Sequence, residues 1–381
     1  MPQGSTARAR AEAGGVLYVL RYFPTLTETF VYREIDAVAV RVPVHAVAVG
    51  ERADGALQDE PPEVVVSYPP RGLRAVGLAP ALRHLATPEG RRAWRWLSRQ
   101  QRPKDAARAL WLADRARALG VTRLHAHFAG EAAEWALVTA RLVGVPFGVT
   151  VHAADLFKPR PALGEVLRAA DPVVAVAEHH RQAIAARYGV EATVVRCGVD
   201  PARFPVARPG DEGPLRLVSV ARPVPKKGLD TLVAAVRAVP GVRLRLVADA
   251  PRWATDRVQI GALPPSEVPA ALAAAHAFVL PCRVASDGDR DGVPVALLEA
   301  MAAGLPVITT KVAGIPEVVD EAVGWWVPPD DPEALAAVLR EVAADPAERL
   351  RRGRAARERI GARGLTVEAQ ASGLLAAWGL A

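Results

Sequence analysis

The stretch Asp287-Gly-Asp-Arg-Asp-Gly-Val-Pro-Val-Ala-Leu-Leu-Glu299 sets four carboxylates within thirteen residues, a density that suits three kinds of chemistry. The alternating acids could ligate calcium. Asp287 and Asp289 could hold a divalent metal in a nucleotide-binding domain, or Asp291 and Glu299 could serve one ligand as a metal-free carboxylate pair. A calcium loop needs a bidentate Glu at its twelfth position, and counted from Asp287 that position is Leu298, with Pro294 at the eighth. Calcium is excluded on geometry. The metal-binding Asp-x-Asp accounts for a single nucleotide-binding domain and leaves half the chain unexplained, so it ranks below the carboxylate pair.

The carboxylate pair is favoured by its setting. From Gly292 to Thr310 every residue is apolar, small or Thr except Glu299, so the helix carrying that acid must be almost wholly buried. A buried carboxylate needs hydrogen bonds, either from backbone and Arg or from a ligand. Pro294 suits the first helical position, and Gly292 lets a ligand approach the backbone amides at the positive end of the helix, where an anion belongs. Asp291 just before the helix and Glu299 over a turn inside it can then address one elongated ligand with a phosphate between them. Cations for that phosphate follow the apolar run Leu215–Val220, in Ala-Arg-Pro-Val-Pro-Lys-Lys-Gly, where Arg222, Lys226 and Lys227 open a helix starting near Leu229. Such cations would bind a diphosphate and stabilise it as a leaving group. An exposed basic turn is a respectable alternative for Lys226, and less so for Arg222 directly after the strand.

The elements that must hold these residues alternate. Short apolar runs bounded by Gly and Pro are separated by Ala/Leu/Arg stretches of helical period, the pattern of parallel sheets with crossover helices. The first series predicts strands at Val16–Leu20, Val44–Val49, Val64–Val66, Arg123–Ala126, Phe147–Val151, Val173–Val176 and Thr193–Val195. The second predicts them at Leu215–Val220, Val242–Val247, Ala277–Leu280, Pro306–Thr309 and Trp325–Val327. A Pro-rich segment at about 201–213 separates the two, which implies an α/β chain of two doubly wound domains facing a cleft, with ligands beyond the carboxyl ends of the strands.

At 381 residues the chain exceeds one ordinary core, and 51% hydrophobic content excludes general disorder. The net charge of +7 favours anionic partners without choosing among them. Arg71, Arg74, Arg83, Arg91, Arg92, Arg95, Arg99, Arg102, Lys104 and Arg108 are interrupted only by Glu89 and Asp105, with Trp94 and Trp96 among them. The region 71–108 is therefore a candidate membrane-surface or acceptor face, and a solvated helical surface is its plainer reading. Cys197 and Cys282 form neither a disulfide scaffold nor a zinc pattern, which fits a reducing compartment. No segment is long and apolar enough to span a bilayer, so the sequence predicts a cytoplasmic protein, soluble or peripheral to a membrane.

Four stretches of the second half, VARPVPKKGLDTL, GALPPSEVPAALAAAHAFVLPC, DGVPVALLEAMAAGLPVITT and GIPEVVDEAVGWWVPPDDPEALA, resemble in order and spacing the retaining GT-B glycosyltransferases of family 4, the group 1 glycosyl transferases. In the first half YFPTLTETFVYREI resembles the entry segment of polysaccharide-building members, HAHFA and VTVHAADLF resemble two further loops, and VVRCGVDPARF resembles the interdomain segment. The resemblance implies a GT-B fold with an acceptor-binding domain over 1–200, a donor-binding domain over 214–364, and a C-terminal stretch, 365–381, packing back on the first domain. It implies a hexosyltransferase that takes a sugar from a nucleoside diphosphate donor, UDP-linked in the first instance, and passes it with retention to a hydroxyl of a glycan, a lipid-linked or glycolipid acceptor, or a natural product. Nucleic acid is not an implied partner. Residue by residue, Glu299 would hold the donor ribose and Asp291 the hydroxyls of the transferred sugar. The family usually has Glu at the latter place. Arg222 and Lys227 would meet the diphosphate, backbone around Gly292, Val293 and Val295 would contact phosphate, and His152 would face the reacting sugar. Thr27, Glu28 and Thr29 would lie toward donor phosphate or acceptor. No cofactor or metal is implied. In LVADAPRWATDRVQIG, Ala248 and Ala250 stand where the family has glycines and the segment is abbreviated, leaving Trp253 or Gln259 as candidates beside the base. The alternatives are a nucleotide-sugar epimerase or hydrolase on the same fold, or a non-catalytic nucleotide-sugar-binding protein.

Overall fold

The computed structural model describes residues 14–23, 25, 28–48, 63–69, 83–99, 103–207, 210 and 213–380. Among the described residues thirteen strands form two sheets in which every pairing is parallel. The first comprises β1 Val16–Leu20, β2 Val44–Ala48, β3 Val66–Ser67, β4 Arg123–His127, β5 Phe147–Val151, β6 Val173–Ala175 and β7 Thr193–Val194, in the order β3-β2-β1-β4-β5-β6-β7. The second comprises β8 Leu215–Val220, β9 Val242–Val247, β10 Val258–Ile260, β11 Ala277–Leu280, β12 Val307–Thr309 and β13 Gly324–Trp326, in the order β10-β9-β8-β11-β12-β13. In each sheet the order reverses beside its first strand, at β1/β4 and β8/β11, which opens a crevice beyond the strands' carboxyl ends.

The continuous apolar runs form strands because helices cover both faces of each sheet: β1, β5 and β11 are buried along their whole length. β1, β5, β8, β9 and β11 keep the predicted bounds. The run predicted at Val64–Val66 forms its bridge at Val66–Ser67 instead, because pairing to Ala46 and Val47 decides which residues of a half-exposed edge count as strand. β10 had no apolar run to announce it. It exists because Val258, Gln259 and Ile260 continue the ladder from β9.

The last helix, Val367–Ala377, starts from a Thr366 cap and packs Ala371, Leu374, Leu375 and Trp378 with Tyr18 and Val31 of the first domain. Val199 bridges to Thr366 where the chain crosses between the domains, so both crossings are tied together. Among the described residues, no helix is long and apolar enough to cross a membrane. Arg71, Arg74 and Arg102 lie outside the described residues. Trp94 and Trp96 are half-buried against Ala93, Leu110 and Val138, while Arg91, Arg92, Arg95 and Arg99 are exposed, so this surface presents arginines and keeps its tryptophans inward.

Candidate active site

A cavity of about 680 Å³ lies between the two domains, in the size range of small-molecule sites. Its walls are the segments after strands: Phe128 after β4, His152 after β5, Val176 after β6, Arg222 after β8, Ala248 and Asp249 after β9, and Asp291 after β11. Of the residues singled out from the sequence, Glu28, Thr29, His152, Arg222, Lys227, Asp291, Gly292, Val293, Val295 and Glu299 border it. Thr27 lies outside the described residues. Trp253 and Gln259 do not border the cavity. Gln259 is exposed on β10 and Trp253 leans on the core under Arg252, whose guanidinium carbon is 4.2 Å from the ring centroid. Ala248, Asp249 and Leu263 take the place expected of them.

The C-terminal wall is charged and internally paired. Pro225–Lys227 forms a short 3₁₀ turn that ends at Gly228, whose φ of +62° lies in the left-handed region; a Cβ there would stand 2.0 Å from the Pro281 carbonyl oxygen. That close approach brings the turn beside the segment after β11. Lys227 Nζ is 2.7 Å from Asp291 Oδ2, and Lys226 Nζ is 3.2 Å from Asp291 Oδ1 and 3.1 Å from Asp289 Oδ1. Lys158 of the first domain reaches Asp287 at 2.8 Å. Lys158 also lies 3.4 Å from Asp289, so Lys158 and Lys226 each bridge two acids of the Asp-Gly-Asp-Arg-Asp run and the whole run forms one chain of ion pairs.

The exposed basic turn weighed as an alternative for Lys226 does not hold, since Lys226 is buried; Arg222 is exposed at the cavity wall, and its guanidinium has no ion-pair partner among the described residues. Lys227 reaches the cavity already bound to Asp291, because burial leaves neither charge without a partner. Burial would raise the Asp291 carboxyl, but the charges and hydrogen bonds of Lys227 and Lys226 outweigh it and hold the group below its usual 3.8. Burial would likewise lower the Lys227 ammonium, and Asp291 reverses this and raises it above 10.5.

Glu299 occupies the fifth position of the helix Val295–Ala302 and is buried at the cavity wall. Pro294 proves to be the cap rather than the first helical residue: its ψ of 124° is extended, so the helix begins at Val295. The hydrogen bond that a buried carboxylate demands comes from across the cleft, where Arg33 Nη1 donates to Glu299 Oε1 at 2.9 Å. Arg33 went unremarked in the sequence. It follows Thr29 and Phe30 by four and three residues on the helix Thr29–Ala39, and all three border the cavity, so the shared helical face was the available signal.

The N-terminal wall is built on histidines. His152 caps the short helix Ala153–Phe157, where its backbone N–H donates to Asp155 Oδ2 at 2.8 Å. Its Nε2 lies 3.3 Å from His127 Nδ1, and His127 Nε2 lies 2.9 Å from Glu34 Oε1. Glu34 also accepts from Tyr18 Oη at 3.1 Å and from Gln370 Nε2 of the C-terminal helix at 2.5 Å. Glu34 and His127 therefore fix the His152 ring from behind. Burial first, then the charges of His127 and His180, hold the His152 ring well below 6.5, in its neutral form. Glu34, His127 and His180 were not singled out from the sequence. The pairs His125/His127 and His179/His180, each at a strand's carboxyl side, were the traces they left.

A two-domain α/β fold with a charged interdomain cleft is the architecture that the resemblance to GT-B glycosyltransferases implied. Residues 27–203 match the family described as Glycosyltransferase Family 4, and residues 214–345 match the family described as Glycosyl transferases group 1. Together the two matches take in most of the chain and, with its likeness to solved GT-B structures, support a GT-B glycosyltransferase of the family 4 type. It is 38% identical over 164 residues to the amylovoran biosynthesis glycosyltransferase AmsK of Erwinia amylovora, covering 38% of this chain and 40% of that one. It is 33% identical over 237 residues to a GDP-mannose-dependent alpha-(1-6)-phosphatidylinositol monomannoside mannosyltransferase of Mycolicibacterium smegmatis, covering 54% and 62%. The matched stretches thus span about two fifths to three fifths of these relatives' lengths. Among solved structures, sucrose-phosphate synthase from Thermosynechococcus elongatus superposes with a TM-score of 0.71 at 18% identity, covering 96% of this chain and 98% of that one. Anabaena HepE in complex with UDP and glucose superposes at 0.70 with 15% identity, covering 96% and 99%. At these identities the two structures establish the fold.

Proposed function

We propose that the protein transfers a hexose-type sugar, with retention, from a nucleoside diphosphate sugar to a hydroxyl of a glycan, glycolipid or natural-product acceptor in polysaccharide or secondary-metabolite biosynthesis. The observation that carries this reading is the joint presence of Glu299, Asp291, Arg222, Lys227 and the Gly292–Val295 backbone at one interdomain cavity. Glu299 holds the donor ribose beside Arg33, and Asp291, fixed by its two lysines, contacts hydroxyls of the transferred sugar. Arg222 and Lys227 take the diphosphate together with the amides at the helix start. His152 faces the reacting sugar as a neutral ring, and the Glu28–Thr29 side receives the acceptor. The leaving phosphate accepts the acceptor's proton during front-face attack. The protein's work is to stabilise developing negative charge and to exclude water on closure. These cations occupy the role a divalent metal would otherwise fill, so turnover persists in a chelator.

A UDP-linked donor is the first choice, supported at the level of fold by HepE, while the mannosyltransferase relative's printed name makes GDP-linked donors the necessary comparison. On this reading the protein works in the cytoplasm, and the exposed arginines of 91–99 rest on an anionic membrane; sedimentation with anionic against neutral vesicles tests this.

Donor turnover by wild type and Glu299→Ala, with acceptor extracts and EDTA present, tests the transferase reading. Acceptor-dependent transfer that Glu299→Ala abolishes is expected, and transfer indifferent to that substitution contradicts it. The short segment between β9 and β10 favours a second reading, a non-catalytic nucleotide-sugar-binding protein, for which donor binding without turnover is the signature. Acceptor-independent release of free or isomerised sugar would instead mark a hydrolase or epimerase.

A further inference from the structure

His180 lies in the first turn of the helix Glu178–Tyr188, wholly buried, and neither of its ring nitrogens has a hydrogen-bond partner among the described residues. An imidazole always carries at least one N–H donor, and a buried donor left unmade is a cost that asks for a reason. The ring borders the interdomain cavity. It also fills the space beside Gly292 in the opposite domain, where a Cβ would stand 2.5 Å from His180 Cε1 and 2.9 Å from Nε2. Gly292 tolerates this contact because it has no side chain, so the imidazole and the backbone leading into the Glu299 helix meet directly.

The helix that carries His180 is itself held from across the cleft. Glu317 accepts hydrogen bonds from the backbone N–H groups of Glu178 and His179, both at 2.9 Å, and pairs with Arg196 at 3.0 Å. The ring is held by packing, with Phe157 at 6.1 Å and His179 at 6.0 Å between centroids. Its backbone is fixed and its hydrogen-bonding capacity is unspent, at the point where the other domain offers Gly292, Arg222 and Lys227 to an anion.

We propose that His180 is a substrate-contacting residue: one ring N–H donates to a phosphate oxygen of the nucleoside diphosphate bound at Gly292, and holds that oxygen as the diphosphate departs. The proposal rests on the transferase reading above and adds to it a contact from the opposite domain. Since Gly292 and His180 belong to different domains, the hydrogen bond forms only when the cleft is closed, which makes phosphate binding and closure one event. A neutral imidazole suits this position because it adds a donor without a further buried charge beside Lys226 and Lys227.

Calorimetric titration with UDP and with GDP tests the proposal on wild type, His180→Phe, His180→Leu and His180→Asn. His180→Phe and His180→Leu, which fill space without a donor, should lose about 10- to 100-fold in diphosphate affinity and in kcat/KM for donor, with acceptor KM unchanged. His180→Asn, which keeps an N–H, should recover part of the loss. In ¹⁵N-labelled wild type the His180 ring nitrogens should shift on adding the diphosphate, a measurement that stands if the apolar variants do not fold. Diphosphate affinity unchanged in His180→Phe, a loss confined to acceptor KM, or unshifted ring nitrogens on a bound protein would overturn the role of His180 and leave the transferase reading intact. Wild type that binds no nucleoside diphosphate would overturn both.

Discussion

The two walls of the cleft solve the problem of burying polar groups in opposite ways. The C-terminal wall keeps full charges and satisfies them at short range, with Asp291 between Lys226 and Lys227. The N-terminal wall keeps histidine rings, those of His152 and His180 held neutral by burial, and passes hydrogen bonds backward, from His152 to His127 to Glu34 and on to Tyr18 and Gln370. A charged wall is suited to an anion that develops charge during reaction, since its dipoles and ions are already oriented. A neutral wall is suited to shape and to hydrogen bonds with an uncharged sugar or acceptor. Arg33, the cation of the N-terminal wall that reaches across to Glu299, joins the two.

That contrast can be broken by substitution. Glu34 anchors the neutral wall, and Glu34→Ala should cost about 3 to 5 kcal/mol of stability by chemical denaturation, because it leaves the donors of His127, Tyr18 and Gln370 without their shared buried acceptor. A cost under about 1 kcal/mol would show that the histidine wall does not depend on its anchor. On the charged wall, Lys227→Ala should lower kcat/KM for donor about 100- to 1000-fold. His152→Ala should lower it less, and equal losses would erase the distinction between the walls.

pH separates the walls as well. The depressed Asp291 carboxyl contributes stability that is present above the unfolded value of 3.8 and is lost as pH falls through its lower folded value; the raised Lys227 contributes stability that is present below 10.5 and is lost as pH rises through its higher folded value. The charged pair therefore holds from about pH 4 to about pH 10. The His180 ring is pulled down to about 4 by burial first and His179 next, against Glu317 and Asp291. Its contribution is undiminished above pH 6.5, and as pH falls to about 4 the unfolded chain takes up a proton that the folded chain refuses, costing about 3 kcal/mol. Stability of His180→Phe measured between pH 7 and 4 should accordingly fall less than that of wild type, and parallel curves would count against the neutral wall.

The smallest expected effect concerns the seam. Gly292→Ala should cost about 1 to 3 kcal/mol in thermal or chemical denaturation by crowding the His180 ring, and His180→Ala in the same chain should relieve part of it. Additive costs would mean that the two residues do not meet.

The charged wall was legible in the sequence because each part is local. A lone acid in an apolar helix and a Lys-Lys-Gly turn after a strand can each be read from neighbours in the chain, and the parallel-sheet pattern places both at strand ends. Of the neutral wall only His152 was named from the sequence, and that through the resemblance. Glu34, His127, His152 and Gln370 come from four elements, and no periodicity announces that an acid of the helix Thr29–Ala39, a strand histidine and a C-terminal glutamine share one buried network. The same holds for Glu299, whose need for a partner followed from burial, while Arg33 as that partner is separated from it by 266 residues.

The sequence alone determined the sheets and their parallel sense, the cleft they imply, and the residues whose charge demands company, because hydrophobic period and desolvation act on each segment where it stands. Tertiary structure alone decided who meets whom: Arg33 with Glu299, His180 with Gly292, and Lys226 buried while Arg222 stays at the exposed wall. Those choices depend on distances between segments far apart in the chain, which only the packing of one domain against the other can set.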